Sequence, residues 1–222
     1  MSSEQEMRQH RCCFSGHRKE KLSKSPEEIQ LWLEKQIAQA VADGFVTFIT
    51  GMAMGVDIWA GEIVVRLRET DPRLHLIAEV PWPGFSARWN AEWKGRYSSL
   101  IEKADLVRYV SKSYDPTLFE KRNKWMIDHS SRLIAYYNGE DGGTKDMVAY
   151  AQNQGLEVVL GVDEPQPKKK PAAEIPEKPA RPYPLNLIDA VMNCDAFLSR
   201  RSLQIMTSLK VLMRDSGKQL LP

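Results

Sequence analysis

Short apolar runs alternate with longer stretches of helical periodicity from residue 11 to residue 160, and this alternation constrains the fold more than any other feature. The runs at 11–14, 45–50, 74–80, 105–110, 132–137 and 157–160 read as strands. Helical stretches separate them, at about 56–68, 90–103, 118–129 and 144–154 after a first one that opens at Pro26. That first helix has a full start signal: Ser25 as cap, Pro26 at the first helical position and Glu28 completing a capping box. Its apolar residues Ile29, Trp32, Leu33, Ile37 and Val41 recur at helical spacing, and Gly44 is suited to stop it. Strands separated by helices are joined by crossovers, which places helices on both faces of a mainly parallel sheet. The expected fold class is therefore α/β, a Rossmann-like three-layer domain over residues 11–162.

Outside that core the character changes. Residues 1–10 are polar and are expected to be disordered. Residues 163–184 form a Pro/Lys-rich linker containing Lys168, Lys169 and Lys170. Residues 185–222 turn apolar again and are expected to form a helical tail, too short to fold alone and suited to docking or self-association. Charge follows the same division. Residues 1–164 carry 21 Lys+Arg against 24 Asp+Glu, whereas residues 165–222 carry 10 against 5. An acidic body with a basic tail is not the footprint of a duplex-DNA-binding domain, so nucleic acid is not an expected partner.

Three cysteines, Cys12, Cys13 and Cys194, do not make a disulfide framework, and adjacent Cys12 and Cys13 would face opposite sides of a strand. Their spacing to His10 and His17 matches no zinc pattern, and no metal site is expected. No apolar run is long enough to span a bilayer and no signal peptide is visible, so a cytoplasmic location without membrane association is expected.

Three strand-to-helix turns carry the functional argument. In an open parallel sheet, ligands sit outside the carboxyl ends of the strands, where helix N-termini favour phosphate. Ser15-Gly16-His17-Arg18 follows the first strand and supplies a hydroxyl, a flexible position and two cationic candidates. Thr50-Gly51-Met52-Ala53-Met54-Gly55 follows the second. Gly142-Gly143-Thr144 opens the helix after Tyr137. None of these is the dinucleotide fingerprint or a Walker A loop.

Taken in order, these segments resemble the YpsA-like branch of the SLOG superfamily. The resemblance extends over about residues 11–162. It rests on Ser15–Arg18, on the run from Gly51 to Glu62, on Pro81-Trp82 with Trp89, on the run from Arg122 to Asp128, and on Gly142-Gly143-Thr144 with Tyr150-Ala151. That superfamily also contains LOG-type nucleotide phosphoribohydrolases and Smf/DprA DNA-processing proteins. The resemblance implies a Rossmann-like fold with a pocket for a nucleotide or nucleotide derivative. LOG-type proteins carry a catalytic Glu shortly after their Gly-Thr. Here Lys145-Asp146-Met147-Val148 follows Thr144, with no Glu at the helix start.

The expected ligand contacts are Ser15, Gly16, His17, Arg18, Thr50, Gly51, Met52, Ala53, Gly55, Asp57, Pro81, Trp82, Arg122, Asn123, Gly142, Gly143 and Thr144. Asp57 reads either as a helix cap or as a hydrogen-bond partner for a ribose hydroxyl or a base. Glu62 reads either as a general acid/base or as a solvated helix residue, and Glu79 as a pocket carboxylate or the partner of Arg88 or another cation. Trp82 is a candidate for stacking on a base, with Trp89 and Trp93 packing nearby. Lys124 and Asp128 are spaced as a surface ion pair.

The leading expectation is a nucleotide sensor or regulator, needing no cofactor and acting on a partner through residues 185–222. The first alternative is a hydrolase of an N-glycosidic bond, in which Asp57 or Glu62 would be catalytic. The second is a Smf-like single-stranded DNA binder, against which the acidic body and the lack of an aromatic-basic stripe argue.

Overall fold

A computed structural model of the chain describes residues 3–163. Six strands form one all-parallel sheet: β1 (Arg11–Gly16), β2 (Thr47–Thr50), β3 (His75–Val80), β4 (Leu106–Tyr109), β5 (Arg132–Tyr137) and β6 (Glu157–Val162). Their spatial order is β4-β3-β2-β1-β5-β6. The helices between them are α2 (Pro26–Ala42), α3 (Val56–Arg68), α4 (Ala91–Lys103), α5 (Leu118–Asp128) and α6 (Gly143–Asn153). The chain winds outward from β1 to β4, then returns to place β5 on the other side of β1. Between β1 and β5 the order of winding reverses, and a crevice opens at such a switch point beyond the strands' carboxyl ends.

Side-chain alternation along the strands sorts the core into two layers. Cys12, Phe14, Phe48, Leu76 and Ile134 face Ile29, Leu33, Ile37, Ile58 and Trp59. Cys13, Ile49, Ile77, Leu133 and Ala135 face Met126, Ile127, Met147 and Val148. The two adjacent cysteines therefore lie on opposite faces, both fully buried. Burial pushes the Cys13 thiol up to about 12. The start of α2 has the anticipated form, with Ser25 and Glu28 in a reciprocal capping box and Pro26 in the first turn.

The strands are shorter or shifted where apolar residues serve packing rather than pairing. Phe45 and Leu74 are buried but precede the first paired residues of β2 and β3. β1 and β6 run two residues further than expected, to Gly16 and Val162. The expected disordered N-terminus is corrected as well. Glu4–Gln9 forms a short helix, α1, capped by Ser3 and Glu6. It buries none of its own residues, and Arg8 ties it to the body by donating to the Ser130 carbonyl at 2.8 Å. Asp163, the first residue of the expected linker, accepts hydrogen bonds from the backbone of Ser23 and Lys24 and from the Ser23 hydroxyl. The rest of the linker and the expected helical tail lie outside the described residues. No helix among the described residues is long and apolar enough to cross a membrane.

Candidate functional site

The close approach of β1 to α3 builds the floor of the site. A Cβ on Gly16 would sit 2.4 Å from the Val56 side chain and 2.6 Å from the Tyr136 carbonyl, so only glycine fits there. Gly55 caps α3 with φ +94°, and a Cβ on it would lie 2.5 Å from the His17 carbonyl. Between them, the β2 turn is locked from within. The Thr50 hydroxyl donates to the Asp57 carbonyl at 2.8 Å and accepts from the Met52 N–H at 3.2 Å. Met52 is fully buried with φ +58°, a left-handed conformation that a non-glycine residue holds only when its surroundings enforce it.

A cleft of about 450 Å³ opens at the carboxyl edge of β1 and β5. Its walls include Ser15, Gly16, His17 and Arg18 from the β1 turn, Ala53 and Asp57 from the β2 turn and α3, and Gly142, Gly143 and Thr144 from α6. Arg122 and Asn123 of α5 reach it from the opposite side. The N-terminus of α6 has no side-chain cap, so the first-turn amides of Gly143 and Thr144 lie free at the cleft wall.

The buried charges beneath this wall form one electrostatic group. Arg122 donates through Nη1 to the Gly51 carbonyl at 2.8 Å and through Nε and Nη2 to Asn123 Oδ1 at 3.2 and 2.9 Å. Asp57 accepts from the Ala53 N–H at 3.3 Å. Burial raises the Asp57 carboxyl to about 6, against the opposing pull of Arg122 and this N–H. Glu79, with no exposed surface, is raised to about 7 by burial, opposed by its ion pair with Arg108 and by Arg122. Arg108 in turn lies over the Trp125 ring at 4.3 Å. Burial also draws the Arg122 guanidinium below its ordinary value, while Asp57 and Glu79 hold it charged.

His17 is buried, with Nδ1 3.3 Å from the Thr144 hydroxyl, which links the β1 and β5 turns. Burial, with Lys21 adding to it, lowers the basicity of its imidazole.

Several expected residues are placed elsewhere. Glu62 does not share the cleft with Asp57. It makes a two-point ion pair with Arg96, at 2.8 and 2.5 Å, between α3 and α4. Pro81 and Trp82 are not among the cleft walls. Trp82 is boxed in edge-to-face by Phe85, Tyr114 and Phe119, and the aromatic surface of the cleft comes from Phe85 and Phe119 instead. Thr50, Gly51, Met52 and Gly55 shape the floor rather than line it. Lys124 pairs with Glu120 rather than Asp128, and Asp128 accepts from the Tyr150 hydroxyl. Lys21, in the 3-10 turn Lys19–Lys21, joins the cleft walls and was not anticipated. Its signal was slight: a lysine three positions beyond Arg18, on a turn with no apolar pattern. Among the described residues, no group of three or more His, Cys, Asp or Glu is arranged to hold a metal ion.

The sequence pattern of the YspA SLOG family matches residues 12–158. A UPF0398 protein of Bacillus pumilus is 31% identical over 128 residues, 56% of this chain and 69% of that protein. A UPF0398 protein of Halalkalibacterium halodurans is 26% identical over 113 residues, covering 50% of this chain and 60% of that one. A solved structure of DNA processing protein A from Helicobacter pylori, described for its single-stranded DNA binding mode, shares 17% identity with a TM-score of 0.49. That likeness covers 71% of this chain and 66% of that one, and it is too slight to bear on ligand or partner.

Proposed function

The chain belongs to the YspA SLOG family, and on that premise we propose that its β1/β5 cleft binds the phosphate end of a nucleotide or nucleotide derivative. The observation that carries this reading is the convergence of Arg18, Lys21 and Arg122 with the uncapped N-terminus of α6 on one cleft at the switch point of the sheet. Cations and free amides at such a point favour an anion. Binding, with occupancy passed to a partner through residues 185–222, makes the chain a sensor or regulator. It needs no further cofactor.

A second reading, hydrolysis of an N-glycosidic bond, is favoured by one observation. Asp57 is a cleft carboxyl held near neutrality at about 6 by burial, which suits a group that exchanges a proton near pH 7. Glu62, the other candidate, is committed to Arg96.

Calorimetric titration of the full chain with 5′-nucleotides and ADP-ribose, followed by chromatography of the mixture, separates these readings. Saturable binding with intact nucleotide recovered supports the sensor. Release of free base supports the hydrolase. A folded chain that binds none of them overturns both.

A further inference from the structure

The sheet-edge cleft continues into a second one. A cleft of about 570 Å³ runs between α5 and α6, and Phe119, Asn123 and Gly143 line both. The two halves differ in charge. Of the residues that line it, the sheet-edge half sets Arg18, Lys21 and Arg122 against the Asp57 carboxyl, and Glu79 behind Arg122 is already paired with Arg108. The helical half sets Lys124 against Glu120 and Asp146, and Lys124 is already paired with Glu120 at 2.6 Å. A phosphate is attracted to the first half and gains nothing in the second. What the second half supplies is apolar and aromatic surface from Phe119, Met147 and Tyr150.

Asn123 stands at the junction, and its amide has a fixed sense. Its Oδ1 accepts both Nε and Nη2 of Arg122. Nδ2 is left on the side of Gly143, 3.9 Å from where a Cβ there would sit. Asn123 therefore presents only N–H donors at the point where the two clefts meet.

We propose that the ligand is a two-part molecule, a nucleotide whose phosphate occupies the sheet-edge half and whose base lies between α5 and α6. Asn123 Nδ2 donates to an acceptor atom at the junction and selects against ligands that present a donor there. This rests on the reading of the sheet-edge cleft as a phosphate site.

The test is calorimetric titration of the full chain with the four 5′-ribonucleoside monophosphates and with ribose 5-phosphate. Two variants are compared with the unaltered chain, each checked for an unchanged thermal melt. Ala149→Trp fills the helical half from an exposed position on α6. Asn123→Asp keeps the acceptor for Arg122 but removes the donors. The expected result for Ala149→Trp is a loss of about tenfold or more in nucleotide affinity, with ribose 5-phosphate affinity unchanged. For Asn123→Asp the nucleotide affinity falls by a similar factor and by more than that of ribose 5-phosphate, whose own fall measures the charge added beside the phosphate half. If ribose 5-phosphate binds and neither variant weakens the nucleotide, or Ala149→Trp weakens both probes equally, the two-part site is wrong and the phosphate site stands. If neither probe binds the unaltered chain, the phosphate site falls and the two-part ligand with it.

Discussion

Arg122 on α5 donates to the carbonyl of Gly51 at the end of β2, at 2.8 Å and across 71 positions of sequence. One side chain thus ties the second turn of the sheet to the helix that walls the cleft. It does so between Asp57 and Glu79, whose charges hold it in place.

Removing that guanidinium leaves two buried carboxyls without their nearest shared cation and the Gly51 carbonyl without its donor. Arg122→Ala is expected to lower unfolding free energy by about 3 kcal/mol and to abolish phosphate binding. Arg122→Lys restores the charge but not the fork of donors, and falls between. Urea unfolding and calorimetry measure both effects. Unchanged stability in Arg122→Ala would mean the buried charges are already neutral.

Burial holds Asp57 at about 6 and Glu79 at about 7, above the ordinary 3.8 and 4.5. The folded chain therefore keeps protons there that the unfolded chain releases. The stability these two groups contribute is fully present below about pH 4 and is lost as pH rises to about 7. Asp57→Asn removes the Asp57 share while still accepting from the Ala53 N–H. Relative to the unaltered chain it gains stability on the order of 2 kcal/mol between pH 4 and pH 8. Chemical unfolding of both proteins across that range shows it, and parallel curves would contradict the raised carboxyl.

Gly16→Ala forces a methyl group into contact with Val56 and the Tyr136 carbonyl. Backbone on one side and a packed β-branched side chain on the other leave little room to yield. A cost of about 2 kcal/mol is expected, or a fall in Tm of roughly 4–8 °C. Calorimetric melting measures it, and an unchanged Tm would mean that β1 and α3 part easily.

Glu62→Gln separates the pocket from the α3–α4 contact. Because Glu62 is occupied by Arg96, the variant is expected to leave nucleotide affinity and any base release unchanged. The half-exposed pair itself contributes at most about 1 kcal/mol. A loss of turnover in Glu62→Gln would return this residue to the site.

What the sequence made legible follows the range of each interaction. Ser25, Pro26 and Glu28 declare the start of α2 because capping is settled within four residues. The strand-helix alternation declares the parallel sheet because one chain segment carries its own periodicity. The α1 helix also had its local sign, Ser3 with Glu6, but six residues with one apolar side chain, Met7, and none buried gave the periodicity no purchase. The cleft was legible where backbone demands act, at Gly16, Gly55 and Gly142. It was not legible where long-range pairing decides. Nothing near Glu62 in sequence announces Arg96, 34 positions away, and nothing near Trp82 announces that Tyr114 and Phe119 enclose it. The pairing of Asp128 with Tyr150 rather than Lys124 is likewise set by the packing of α5 on α6.

The central claim is that the β1/β5 cleft holds the phosphate of a nucleotide-type molecule. Its most direct test is mass spectrometry of the small molecules released from gently purified, full-length protein, with added nucleotides screened by thermal shift. The account predicts a retained intact nucleotide or nucleotide derivative, or a stabilising one among those added, and loss of that effect in Arg122→Ala. A well-folded protein that releases no such molecule and is stabilised by none would contradict it.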